Sequence, residues 1–215
     1  MPLDLPSEPR FLAEDFVVGP SNERAYATIE AWPNWPGEAL LLVGPRGSGK
    51  THLGAIWARR ADARILRRSE LGAETAPHDA ARRAILIEDA DEPGDEAALF
   101  HLINAAKREG SHLLLTAASE LALWKLATPD LLSRLRLAPV VHIEEPDETL
   151  LRKVVAKLFA DRQLAVDEGL IGFLASRIER SFAAAGAVVD QLDREALRQK
   201  REVNRTLAAE LLRER

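Results

Sequence analysis

A chain of 215 residues is long enough for one domain with a sizeable core or for two small ones. Hydrophobic residues make up 47% and charged residues 29%, a globular composition, and a net charge of -5 speaks against non-specific grip on nucleic acid, which needs clustered positive charge. With no cysteine there are no disulfides, thiolate metal sites or cysteine nucleophiles, and a reducing compartment is the natural setting. The start, MPLDLPSEPR, is too acidic for a signal peptide, and no apolar run approaches the ~20 residues of a membrane helix, so a cytoplasmic location without membrane contact is expected.

Along the chain, residues 1–22 are rich in Pro, Asp, Glu and Ser and read as an extended arm. A short helix over residues 23–31 is ended by Trp32-Pro33-Asn34-Trp35-Pro36-Gly37. Ala39-Leu40-Leu41-Leu42-Val43 is a continuous apolar run bounded by turn residues, the pattern of a buried parallel strand, and a helix over residues 51–60 follows. Further strands are expected at residues 63–66 (weak), 84–87, 112–116 and 138–143. A helix over 96–108 places Leu99, Leu102, Ile103 and Ala106 on one face. Strands alternating with helices predict an α/β fold with a parallel sheet over residues 23–146. After Pro146 only helical spacing remains: Leu150, Leu151, Val154, Val155 and Leu158; then Leu170, Ile171, Leu174 and Ile178 behind an N-cap at Asp167; then helices from Ser181 to about Lys200 and over 206–212. Residues 147–215 therefore read as a small helical lid.

Gly44-Pro45-Arg46-Gly47-Ser48-Gly49-Lys50-Thr51 fits G-x-x-x-x-G-K-[ST] in full. Glycines permit the backbone to aim successive N–H groups at an anion, and the helix that begins there adds its positive end. Lys50 supplies a mobile charge to the β- and γ-phosphates, and the Thr51 hydroxyl is a Mg²⁺ ligand. ATP or ADP with Mg²⁺ is the expected cofactor. Such a loop needs carboxylates at the end of a neighbouring strand, and Ile85-Leu86-Ile87-Glu88-Asp89 supplies them: Glu88 toward the metal, Asp89 to orient or deprotonate water. The metal-side position is ordinarily Asp, and this inverted order predicts nucleotide binding with weak or no intrinsic hydrolysis.

These residues resemble those of the AAA+ ATPases, and within them the DnaA/Hda group of bacterial replication proteins. Phe16-Val17-Val18-Gly19-Pro20-Ser21-Asn22 is similar to the group's entry motif beside the adenine, which implies nucleotide contacts for Val18 and Asn22. The segment from Gly44 to Leu53, His52 included, matches its phosphate loop. Leu114-Leu115-Thr116-Ala117-Ala118 resembles its sensor 1 strand and implies that Thr116 lies near the γ-phosphate. Pro129 to Leu135 resembles its box VII, which implies that Arg134 is an arginine finger acting on an adjacent subunit's nucleotide. The lid's sensor 2 arginine aligns near Ala183 and is absent there; Arg180 is the nearest substitute, one turn earlier, so ADP is expected to bind as well as ATP. The chain ends at Arg215 without room for DnaA's DNA-binding helix-turn-helix, so it resembles the short Hda-type regulators of alphaproteobacteria, with no specific DNA binding of its own. Met1-Pro2-Leu3-Asp4-Leu5-Pro6 resembles the second half of that group's clamp-binding peptide, without its glutamine.

The resemblance implies a negative regulator of replication initiation. Bound to ADP and, through its N-terminal arm, to the DNA polymerase III sliding clamp (beta), it is expected to stimulate ATP hydrolysis by the initiator DnaA; a homodimer is left open by the sequence. Two alternatives stand beside it: a self-contained homo-oligomeric ATPase that remodels a substrate, and a non-enzymatic adaptor. The histidines at 52, 78, 101, 112 and 142 show no metal-ligand spacing, His52 is expected to pack behind the phosphate loop, and Trp32 and Trp35 read as packing at a strand entry.

Overall fold

The computed structural model describes residues 11–72 and 83–213. The α/β part contains α1 (Glu23–Glu30), β1 (Ala39–Val43), α2 (Lys50–Ala61), β2 (Arg64–Arg67), β3 (Ala84–Glu88), α3 (Glu96–Glu109), β4 (His112–Ala117), α4 (Pro129–Leu135) and β5 (Val140–His142). The strands form one sheet in the order β2-β3-β4-β1-β5, with every neighbouring pair parallel. Alternate residues of each strand serve opposite faces. Leu41, Val43, Ile85, Ile87, Leu113 and Leu115 pack under α3 and α4, whereas Leu40, Leu42, Leu86 and Leu114 pack under α1 and α2. Burial on both faces is the reason that these strands read as unbroken apolar runs.

The parallel register brings the carboxyl ends of β1, β3 and β4 together. Val43 lies opposite Ala117 and Ile87 opposite Leu115, so the loops that leave these strands open on one edge. In doubly wound sheets this edge is where ligands bind.

The helical part comprises α5 (Glu148–Asp161), α6 (Glu168–Ala175), α7 (Phe182–Gln199) and α8 (Arg205–Arg213). The side chains of Asp147, Asp167 and Ser181 accept from the backbone N–H groups of Leu150, Leu170 and Ala184, at 2.6, 2.7 and 3.0 Å, and so begin the first three helices. Leu151, Phe159, Leu174, Val188, Leu192 and Leu207 bury the apolar stripes against one another in a core separate from the sheet's.

Two expectations are corrected, and one element is added. Residues 16–22 are not part of an arm: Phe16 is 9% and Asn22 1% exposed, and Phe16 stacks on Tyr26 at 5.6 Å. The Pro and acidic content hid one aromatic anchor. The last strand is only Val140–His142: Ala138 closes the turn that leaves α4, its N–H donating to the Leu135 carbonyl at 3.1 Å, and Pro139 accepts from the Leu41 N–H at 2.9 Å but has no N–H of its own to extend the ladder. Pro129–Leu135 is helical, with Pro in its first turn, although its seven residues are too few to show a helical period. Leu3 and Leu5, in the segment that resembles a clamp-binding peptide, lie outside the described residues.

Trp57 is fully buried, stacks on Trp35 at 5.3 Å and meets Trp32 edge-on at 6.4 Å. The indoles close the end of the sheet opposite the phosphate loop's helix start. Replacing Trp57 with Ala is expected to lower stability by roughly 3–5 kcal/mol, as large aromatic deletions in packed cores do. Urea denaturation measures this, and a loss below about 1 kcal/mol would mean that the aromatic cluster is not part of the cooperative core.

Candidate functional site: a phosphate loop between sheet edge and lid

β1 runs straight into Gly44–Gly49, and α2 starts at Lys50. A Cβ on Gly44 would meet the Ile143 carbonyl oxygen at 2.2 Å, so only glycine lets the chain leave β1 beside β5. Gly47 and Gly49 have φ of +76° and +99°, in the region that favours glycine, the kind of turn that lets successive N–H groups converge on an anion. Lys50 is 8% exposed and its Nζ donates to the Gly44 and Pro45 carbonyls at 2.7 and 2.8 Å, holding the ammonium over the loop. Burial pushes its pKa below the usual lysine range, against the carboxylates of Asp91 and then Asp89, while Arg46 adds to the fall. Thr51 is exposed at the first turn of α2, and Ser48 is 1% exposed with its hydroxyl unpartnered.

The acidic turn after β3 faces this loop. Glu88 is half-buried at the strand's end, and its Oε1 is buried without a partner. Asp89 takes φ +52°; its backbone N–H donates to Thr116 Oγ1 at 3.3 Å, and the Ala90 N–H donates to the Thr116 carbonyl at 2.7 Å. Thr116, 2% exposed, thereby joins the end of β4 to the acidic turn. Asp91, which no local motif singles out, accepts from the Ala118 and Ser119 N–H groups and the Ser119 hydroxyl at 2.8–3.2 Å. Arg46 pairs with Glu92 at 2.7 Å across the mouth of the site, with side chains 84% and 48% exposed; a pair so wet contributes little and exchanges easily.

The entry segment is built by Asn22, whose Oδ1 accepts from the Gly19 N–H at 2.8 Å and whose Nδ2 donates to the Val17 carbonyl at 3.0 Å. Its amide shapes the turn, and Val18, 41% exposed, is the side chain that the turn presents. His52 turns toward this segment: Nε2 lies 2.8 Å from the Leu12 carbonyl, and the ring packs on Phe11 and Phe16 at 5.2 Å each. This gives His52 a tie between α2 and the entry segment, and its ring has no recorded contact with the phosphate loop.

The lid reaches the loop through the start of α7. The Phe182 N–H donates to the Gly47 carbonyl at 2.8 Å, and a Cβ on Gly47 would meet that of Ser181 at 2.5 Å. Phe182 and Ser181 therefore belong to the site, and periodicity gave no sign of it. The same hypothetical Cβ would lie 3.6 Å from Ala183, so the position at which the resemblance calls for an arginine does face the loop and carries only a methyl group. Arg180 is exposed and precedes the N-cap Ser181; it is not one helical turn below Ala183, as expected, but outside α7.

Arg134 stands apart from this edge, exposed in the last turn of α4, and its side chain makes no hydrogen bond or ion pair among the described residues. The structure does not bring it to the chain's own phosphate loop through any recorded contact.

Glycine turns, a buried lysine and an unpaired Glu88 oxygen fit a polyphosphate with a divalent cation. Lys50 would hold phosphate oxygens, and Thr51 and Glu88 would share Mg²⁺ with phosphate and water. No cluster of three or more acidic or imidazole side chains suited to a metal occurs among the described residues. A magnesium-bound phosphate lets oxygen attack phosphorus at lower charge cost.

The class defined by this sheet order, loop and lid is the AAA+ P-loop fold. Within it the likeness is to DnaA: residues 7–69 match the family model of the bacterial DnaA ATPase domain. The DnaA initiator of Thermotoga maritima is 23% identical, over 87% of this chain and 49% of that protein, so the chain spans about half the length of the curated relatives it matches. Domain III of Thermotoga maritima DnaA superposes with a TM-score of 0.80 at 22% identity, covering 98% of each chain. DnaA from Aquifex aeolicus, solved with AMPPCP, gives 0.73 at 18% identity over 86% of this chain and 66% of that one. No helix among the described residues is long and apolar enough to cross a membrane.

Burial holds the His52 imidazole below its ordinary 6.5, opposed by the Leu12 carbonyl and Asp15 and aided by Lys157. The unfolded chain takes up this proton as pH falls through 6.5, and the fold resists it until lower pH. Stability from the neutral ring is therefore complete above 6.5 and is lost as pH falls toward the folded value. Between about pH 7 and about pH 5 the wild type should lose more stability than His52→Gln, measured by urea denaturation at each pH. Parallel curves would remove the assignment.

Proposed function

We propose that this protein is a DnaA-related regulator that holds ADP or ATP with Mg²⁺ in its own phosphate loop and promotes hydrolysis at the loop of a DnaA partner. The carrying observation is the pairing of Ala183 with Arg134. The lid position that faces the chain's own loop has no charge, while Arg134, in the last turn of the short helix α4, is exposed and its side chain has no partner among the described residues. An arginine delivered in trans neutralises charge that develops on the transferring phosphoryl group, and the positioned guanidinium adds no reorganisation at the moment of reaction.

In the chain's own site, Lys50 binds β- and γ-phosphate oxygens, Thr51 and Glu88 orient Mg²⁺, and Arg46 and Ser48 line the loop. Val18 and the turn tied by Asn22 lie on the side expected to meet the base. Asp89 and Thr116 hold the place of the water-orienting pair, but the left-handed Asp89 backbone and the Glu88-Asp89 order favour retention of nucleotide over turnover. Contact with the sliding clamp through Leu3 and Leu5 rests on the resemblance of residues 1–6. The name AMPPCP-bound DnaA on a structural neighbour supports the adenine nucleotide. A homo-oligomeric ATPase remains the second reading, favoured by the presence of both a phosphate loop and a free arginine on one chain; it requires turnover by the protein alone that rises with its concentration.

Lys50→Ala should weaken ADP binding roughly 10- to 100-fold, since a hydrogen bond to a charged group is worth about 1.5–3 kcal/mol. Titration with a fluorescent ADP analogue reads this, and unchanged affinity would place the nucleotide elsewhere. DnaA's ATP hydrolysis, measured with clamp and DNA, should be stimulated by the wild type and fall by roughly 10³-fold of that stimulation with Arg134→Ala. Equal stimulation by both proteins would sink the mechanism.

A further inference from the structure

The turn from Glu88 to Glu96 touches more than the phosphate loop. At its far end, Glu96 begins α3, whose N-cap Asp95 accepts from the Ala98 N–H at 2.9 Å. The Glu96 carboxylate does not serve its own helix. Oε1 accepts from the Ala127 N–H at 2.9 Å and Oε2 from the Thr128 N–H at 2.8 Å, immediately before α4. Thr128, the N-cap of α4, makes no side-chain cap of its own, so the cap is supplied from a distant helix. These hydrogen bonds, from Ala127 first and Thr128 next, hold the Glu96 carboxyl below the usual carboxylate range.

The turn between the two ends is held stiffly. Arg68, 1% exposed, donates through Nη1 to the Asp95 carbonyl at 2.9 Å. A Cβ on Gly94 would meet the Arg68 guanidinium at 2.8 Å, so the backbone is pressed against that side chain. Asp91 is fastened to the loop after β4, and Asp89 to Thr116. Leu99 and Leu102 of α3 share a core with Leu131 and Leu135 of α4. A shift of the turn at Glu88 thus has a covalent and hydrogen-bonded route to Ala127 and Thr128, and α4 carries Arg134.

We propose that Glu96 is a positioning residue for Arg134: it pins the start of α4 to the acidic turn, so that Mg·nucleotide at Glu88 and Lys50 of this chain sets how Arg134 is presented to a partner. The proposal rests on the reading that Arg134 acts in trans. Glu96 touches neither nucleotide, so its effect passes through α4 and not through binding. A cap that served stability alone would leave α4 indifferent to the ligand.

The test is hydrogen exchange by mass spectrometry on the whole protein, with and without Mg·ADP, read on peptides spanning residues 126–137. In the wild type Mg·ADP should slow exchange there. Glu96→Ala should bind the fluorescent ADP analogue within about twofold of wild type, as distant sites do. It should nevertheless lose the exchange response. Glu96→Gln keeps one acceptor oxygen and should restore part of it, which guards against a variant that fails to fold. In the DnaA assay Glu96→Ala should lower the kcat of stimulated hydrolysis roughly 10- to 100-fold, the cost of a misplaced catalytic group, with the concentration for half-stimulation unchanged. It should have no further effect in an Arg134→Ala background. An ADP response of residues 126–137 that is absent in the wild type, or intact in Glu96→Ala, overturns the proposal. A Glu96-dependent response in a protein that leaves DnaA hydrolysis unchanged upholds the coupling and overturns only the trans role of Arg134.

Discussion

The close fit of the phosphate loop's backbone between the sheet edge and the lid is the constraint on which the rest of the molecule depends. On one side Gly44 lies so near the Ile143 carbonyl that no side chain is tolerated, and on the other the Gly47 carbonyl accepts from the Phe182 N–H. Backbone contacts of this kind leave no slack, because no flexible side chain can absorb a shift. The lid is thereby referred to the sheet through the loop. The start of α7, where the Ser181 hydroxyl caps the helix, is therefore tied to the loop's backbone.

The same economy governs charge. Lys50 is buried, and burial opposes its ammonium form, so the loop needs carboxylates close by. Asp91 supplies the larger share and Asp89 the smaller, yet Asp91 is also the residue that fastens the turn to Ala118 and Ser119. One carboxylate thus stabilises the lysine and fixes the backbone of its neighbours. Arg46 and Glu92 add an exposed pair above them, cheap to open when a phosphate competes for the arginine.

The lid position facing the chain's own loop holds Ala183, whereas Arg134 has no partner among the described residues. On the proposed reading this makes the molecule a poor catalyst for itself and a donor to another. The likeness to solved structures at 22% and 18% identity extends to the fold, and the proposed role rests on the residues at these two positions.

The sequence by itself determined the elements that rest on local pattern. Apolar runs buried on both faces announced β1, β3 and β4; helical spacing announced α5 to α7, with a cap read at Asp167; and the spacing of Gly44, Gly49, Lys50 and Thr51 announced the phosphate loop, since tight turns demand the glycines and phosphate and metal chemistry the lysine and the hydroxyl. What the tertiary structure decided depends on partners far apart in the chain. No local pattern shows that Phe16 is an anchor for His52 and Tyr26, that Asp91 outweighs Asp89 beside Lys50, that Arg180 falls outside α7 while Ala183 faces Gly47, or that Glu96 caps a helix some thirty residues away. A single charged residue in an acidic stretch looks like any other until the fold selects which backbone donors it meets, because hydrogen bonding is set by position in space and the sequence encodes that position only through the packing of the whole chain.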